Sequence, residues 1–168
     1  MTSPGYTPAT ATHTRYEPTQ TETVLARLSP RSTRLPARRH MTNPDLQALR
    51  EAGLASVISS QPRPRIGIYA MVRDGQDPAV RLAVARGLVL RHDWPEAQAS
   101  VDFTGMTDPA TRPQLARLLD AVDRRAIDGI VAMSRTDLTH LNDYYEETLR
   151  WIHARGGFLA LATAETDI

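Results

Sequence analysis

The chain has 168 residues, no cysteine, and 20 basic residues against 19 acids, for a net charge of +1. That length fits one domain of ordinary size plus an extension. The missing cysteine excludes disulfides, thiolate metal sites and cysteine nucleophiles. No apolar run reaches the roughly 18 residues a membrane-spanning helix needs, so no membrane partner is expected, and the N-terminus has no apolar leader core. Every basic residue is an arginine. With the abundant alanine this suggests a GC-rich bacterial source, and a cytoplasmic location is the expectation. Charge is unevenly laid along the chain: residues 1–65 carry nine arginines and four acids, residues 66–168 eleven arginines and fifteen acids. A basic arm on an acidic body follows, and an acidic body is a poor surface for a phosphate backbone.

Residues 1–40, rich in Thr, Pro, Ser and Arg, have too few large apolar side chains to offset the entropy of ordering. They are expected to be a disordered basic arm. Arg31, Arg34, Arg38 and Arg39 form its basic stretch, a candidate contact for nucleic acid or an acidic partner, though no aromatics interleave for base stacking. Met41 is a candidate alternative start. Residues 41–64 predict a short helix and a linker. Asn43 is a candidate cap, Pro44 suits a first helical position, and Leu46, Leu49, Val57 and Ile58 recur near helical spacing before the two prolines of 59–64.

From Arg65 onward strands and helices alternate. Ile66–Val72 predicts a buried strand, Pro78–Leu90 a helix, Ala99–Phe103 a short strand, and Pro113 opens a helix with Leu115, Leu118, Leu119 and Val122 on one face. Gly129–Met133 predicts a third strand. Leu141–Arg155 predicts a helix with Leu141, Tyr145, Thr148 and Ile152 on one face, and after Gly156-Gly157 the segment Phe158–Ala162 predicts a fourth strand. This alternation implies a three-layer α/β fold with a mostly parallel sheet over residues 65–168. Open sheets of this kind bind ligands in loops after the strand C-termini. Here those loops are 73–77, 104–108 and 134–137, whose Gly, Asp and Thr also suit ordinary turns.

The order of the motifs in these loops carries a family resemblance. The first strand reads Tyr69-Ala70-Met71-Val72-Arg73. Then come Asp102, Thr104-Gly105, and Arg112-Pro113-Gln114-Leu115 leading into Leu118-Leu119. Ile127-Asp128 and Ile130-Val131 precede Arg135-Thr136-Asp137-Leu138-Thr139-His140, and Gly156, a strand, and Glu165 with Asp167 close the series. This succession resembles the catalytic domain of the serine recombinases (resolvases and invertases) over about the last three-fifths of the chain.

The resemblance implies a resolvase-like fold and a family activity of DNA strand cleavage and exchange. In that family a serine attacks the phosphodiester while arginines stabilise the charge that develops. At the matched positions this chain has Arg73 for the nucleophile, Met71, Asp137 and His140 for arginines, and Thr136 for the aspartate before them. Arg112 and Asp102 are retained. The expectation is a degenerate, non-catalytic member with no catalytic residue, since arginine is protonated at all relevant pH and is no nucleophile. Ser134 lies near the site but has no base beside it in sequence. Arg112 and Arg73 are the body's candidate phosphate contacts.

The resemblance ends at Ile168, before the long helix with which family members dimerise and grip DNA. Neither the usual dimer nor sequence recognition is therefore implied, and the oligomeric state stays open. The expected partner is a protein, a full-length recombinase for instance, or DNA. Two alternatives stay open: a small α/β nucleotide- or phosphate-handling enzyme reusing the crevice, and a mobile-element remnant. Neither a metal nor a cofactor is expected, because His92-Asp93 and His153 lack ligand spacing. Tyr144 and Trp151, seven apart, would mark a partner surface if exposed together. Arg73 is expected to pair with Asp137 or Asp102 across the crevice, closing the site.

Overall fold

The computed structural model describes residues 40–73, 75–104 and 112–165. In chain order the elements are α1 (Asn43–Ser60), β1 (Ile66–Arg73), α2 (Ala79–Arg91), β2 (Glu96–Thr104), α3 (Pro113–Asp123), β3 (Gly129–Ala132), a 3-10 turn (Arg135–Asp137), α4 (Asn142–Ala154) and β4 (Phe158–Leu161). The four strands form one parallel sheet in the order β2-β1-β3-β4. This is the parallel α/β architecture that the alternating pattern predicts. Residues 1–39 of the expected arm, with Arg31, Arg34, Arg38 and Arg39, lie outside the described residues.

Side-chain alternation along the strands divides the core in two. Tyr69, Ile130, Ala132, Leu159 and Leu161 face a layer made by Leu115, Leu118, Leu119 and Val122 of α3 and Tyr145, Leu149 and Ile152 of α4. Ile66, Ile68, Val131, Phe158 and Ala160 face the other layer, where Ala85 and Val89 of α2 pack with Trp94. Leu149, not Thr148, belongs to the buried stripe of α4, and Leu141 is exposed outside the helix.

Helix α1 runs two residues into the expected linker 59–64. Thr42 rather than Asn43 caps it, in a reciprocal box with Asp45. Its buried positions are Leu46, Arg50, Gly53 and Val57. Leu46 enters one core layer and Val57 the other, so α1 lies along the β4 edge and covers it. An arginine and a glycine in the middle of the stripe hide it from an apolar count. The segment between α1 and β1 is tied down as well: Asp128 Oδ2 accepts from the Arg65 amide at 2.7 Å and from Gln61 Nε2 at 2.9 Å.

Candidate functional site at the strand C-termini

Strand β1 outruns β3. Its residues 66–69 pair with 129–132, and beyond that β1 loses its neighbour on the β3 side. A backbone N–H left in the core needs another acceptor, and Asp137 supplies it. The Asp137 carboxylate is fully buried and accepts from the Met71 amide at 3.2 Å, the Ser134 amide at 3.1 Å and the Met133 amide. Arg81, reaching over from α2, completes the set with an ion pair at 2.9 Å. Burial pushes the Asp137 carboxyl above the ordinary range, against the opposing pull of these amides and of Arg81.

The expected Arg73–Asp137 or Arg73–Asp102 pair is therefore corrected. Arg73 ends β1 exposed, its amide donating to Gln76 Oε1 at 3.1 Å, and Arg81 holds Asp137 instead. The reason is reach: α2 packs against β1 and β3, so a residue on its first turns can extend toward the end of β3. No sequence signal singles out Arg81 among the arginines of that helix.

Asp102, also buried, serves the fold. Its carboxylate accepts from the Gln114 and Leu115 amides at 3.1 and 3.0 Å, which caps α3 from outside the helix, and from the Tyr69 hydroxyl at 3.0 Å. Burial and the neighbouring Asp102 raise the Tyr69 phenol strongly. Arg112, the residue before α3, donates through Nη1 to the carbonyls of Asp137 and Leu138, so its guanidinium braces the 3-10 turn.

Among the other positions picked out by sequence, Met71 contributes its amide to Asp137, and His140 is exposed. Ser134 caps the 3-10 turn in a reciprocal box with Asp137, and its hydroxyl lies 2.7 Å from that of Thr136. The loop 105–111 and Asp74 lie outside the described residues. No cluster of three or more metal-ligating side chains occurs among the described residues. His92 stacks on Trp94 with ring centroids 4.5 Å apart. Tyr144 is exposed while Trp151 is partly buried, with the Arg155 guanidinium 3.7 Å over its ring. No described helix is long and apolar enough to cross a membrane.

Two charged residues of the motif series, Arg135 and Glu165, are buried, and sequence reasoning did not foresee their partners. Glu165 is fully buried and accepts from Arg50 Nε and Nη2 at 2.7 and 3.1 Å and from the Tyr145 hydroxyl at 2.7 Å. Burial works to raise its carboxyl, but the bonds from Arg50 and Tyr145 outweigh it and hold the group below the ordinary range. Arg135 is buried beside Tyr145, with its guanidinium carbon 5.0 Å from the ring centre. Three charged residues at core-facing positions were the available signal, but nothing in sequence says that they meet.

No protein-family model matches the chain, and no curated protein does. Among solved structures, it is similar to the C-terminal catalytic domain of ISC1926 TnpA, an IS607-like serine recombinase. The TM-score is 0.50 and the identity 17%, over 60% of this chain and 68% of that one. The likeness is one of fold: a serine-recombinase-like catalytic-domain architecture, as the order of the sequence motifs implied.

Proposed function

We propose that this chain is a non-catalytic module on a recombinase-like fold, acting by binding a partner protein rather than by cutting DNA. One observation carries the reading. At the position matched to a catalytic arginine stands Asp137, whose carboxylate is buried and engaged by three backbone amides and Arg81. An unpaired carboxylate about 4 Å from a phosphate oxyanion, at an effective dielectric of about 20, would repel it by roughly 4 kcal/mol. Each 1.4 kcal/mol is about tenfold in rate, so even partial neutralisation by Arg81 leaves no substitute for an attractive arginine. The matched nucleophile position, Arg73, offers no nucleophile.

A phosphate-handling enzyme in the same crevice has less support. Arg81 is spent on Asp137, and Arg112 on backbone carbonyls. A protein partner also suits the acidic residues 66–168 better than DNA does. The test is to incubate the full chain, and its Arg73→Ser variant, with a nicked duplex that traps covalent intermediates. In parallel, the chain is mixed with a full-length serine recombinase from the same host. The expected result is no adduct from either form and a stoichiometric complex with the recombinase. An adduct with the natural chain overturns the reading. Cleavage by Arg73→Ser alone would show that Asp137 does not guard the site.

A further inference from the structure

The loop after β3 buries a cation that has no ion-pair partner among the described residues. Arg135 is only 6% exposed. Its Nη1 donates to Asn43 Oδ1 at 3.0 Å, and its Nη2 to the His140 carbonyl at 3.1 Å and Asn142 Oδ1 at 2.5 Å. These acceptors and the Tyr145 ring are all neutral. Its Nε is buried with no partner among the described residues. Buried charges are ordinarily paired, because desolvating an unpaired ion is costly. The buried carboxylate in this region, Glu165, is occupied by Arg50 and Tyr145.

Arg135 stands in the wall of a cavity of about 240 Å³, lined also by Asn43, Thr139, His140, Asn142 and Glu165. Further donors converge there. Asn142 is the first residue of α4, and no side chain caps that helix. Its first N–H groups therefore have no side-chain cap and can donate to an anion, while Asp143 in the same turn already meets the positive end of the dipole. Thr139 Oγ1 accepts from the Leu141 amide at 3.1 Å, which leaves the hydroxyl proton for another acceptor. The cavity is smaller than the roughly 300–1,000 Å³ of pockets for drug-sized ligands, so it suits a small anion.

We propose that this cavity binds a small oxyanion, a phosphate or a carboxylate, through Arg135, the Thr139 hydroxyl and the open N-terminus of α4. Asn43 brings one wall from α1, outside the segment that carries the recombinase resemblance; Thr136 and His140 bring another from the loop that holds Asp137, whose own side chain is not in the lining. The proposal stands whether or not the chain cuts DNA. The test uses the full chain in thermal unfolding and calorimetric titration with inorganic phosphate, acetate or chloride at matched ionic strength. Phosphate or acetate is expected to raise Tm saturably beyond chloride, and the comparison of the two identifies which oxyanion chemistry the site takes. The variant Asn142→Asp puts a carboxylate where the Asn142 oxygen now meets Arg135, beside Asp143 on the first turn of α4. It is expected to raise Tm in the absence of anion and to raise the dissociation constant at least about tenfold. Equal stabilisation by all three salts, or undiminished affinity in Asn142→Asp, overturns the proposal.

Discussion

Asp137 and Glu165 are both buried carboxylates, yet they are held by different means. Asp137 rests on three amides of its own loop and of β1, with Arg81 added; Glu165 rests on side chains from two helices, Arg50 and Tyr145. The difference has a pH signature. The Glu165 carboxyl is depressed in the folded state, so its stabilisation is complete above the unfolded value of about 4.3 and is lost as pH falls through the folded one. The Asp137 carboxyl is raised, so its contribution runs the other way and grows as pH falls from the folded value toward the unfolded one. Glu165→Gln leaves the buried Arg50 with only the half-exposed Glu51, 3.5 Å from its Nη2, as counter-ion and is expected to cost about 3 kcal/mol at neutral pH. Urea midpoints measured from pH 7 to pH 3 should show the difference from the natural chain shrinking as pH falls; a constant difference would mean that Glu165 does not carry the charge. At this scale the sequence marked Asp102, Arg112 and Asp137 by their place in a series of motifs. It could not show that the first two serve as a cap and a brace, because those roles depend on partners 12 to 26 residues away.

Helices α1 and α4 meet where α1 has no side chain. A Cβ at Gly53 would lie 1.8 Å from His153 Nε2, an atom that is buried without a hydrogen-bond partner. Burial, and secondarily Arg150, hold that imidazole below its ordinary range, so it packs there as a neutral ring. A helical Gly→Ala change normally stabilises by about 0.5–1 kcal/mol. Gly87 in α2 has open space around it and should follow that rule. Gly53→Ala is expected to reverse it, with a net destabilisation of about 1–3 kcal/mol from overpacking. Equilibrium unfolding of both variants is the check, and a stabilising Gly53→Ala would show that α1 and α4 are not pressed together at this point. The sequence predicted this helix but not the middle of its buried face, because the central buried residues are a glycine and an arginine, which no apolar periodicity registers.

For the molecule as a whole, α1 packs as part of the folded unit rather than as a helix and linker preceding it. It contributes to both core layers, covers the β4 edge, and supplies Arg50 to Glu165 and Asn43 to Arg135. Removing residues 1–64 would bare that edge and strand Glu165. The chain 65–168 is therefore expected to unfold at a lower urea concentration than the chain 41–168, by several kcal/mol given the buried ion pair alone. Equal midpoints would restore the boundary at Arg65. The opposite edge of the sheet, β2, pairs only with β1 among the described residues, and Phe103 near its end is 51% exposed.

The sequence by itself determined the layered α/β architecture, the order of strands and helices along the chain, and the loops at which a site would form. These follow from local periodicity and turn chemistry, which a short window of residues carries. Only the tertiary structure decided which charges meet. Arg81 rather than Arg73 reaches Asp137, Arg50 closes on Glu165 across 115 residues, and Arg135 has only neutral partners among the described residues, beside a cavity. With 20 arginines and 19 acids in one chain, composition allows many pairings. Burial selects among them, because a charge removed from water is stable only where the fold brings it a partner.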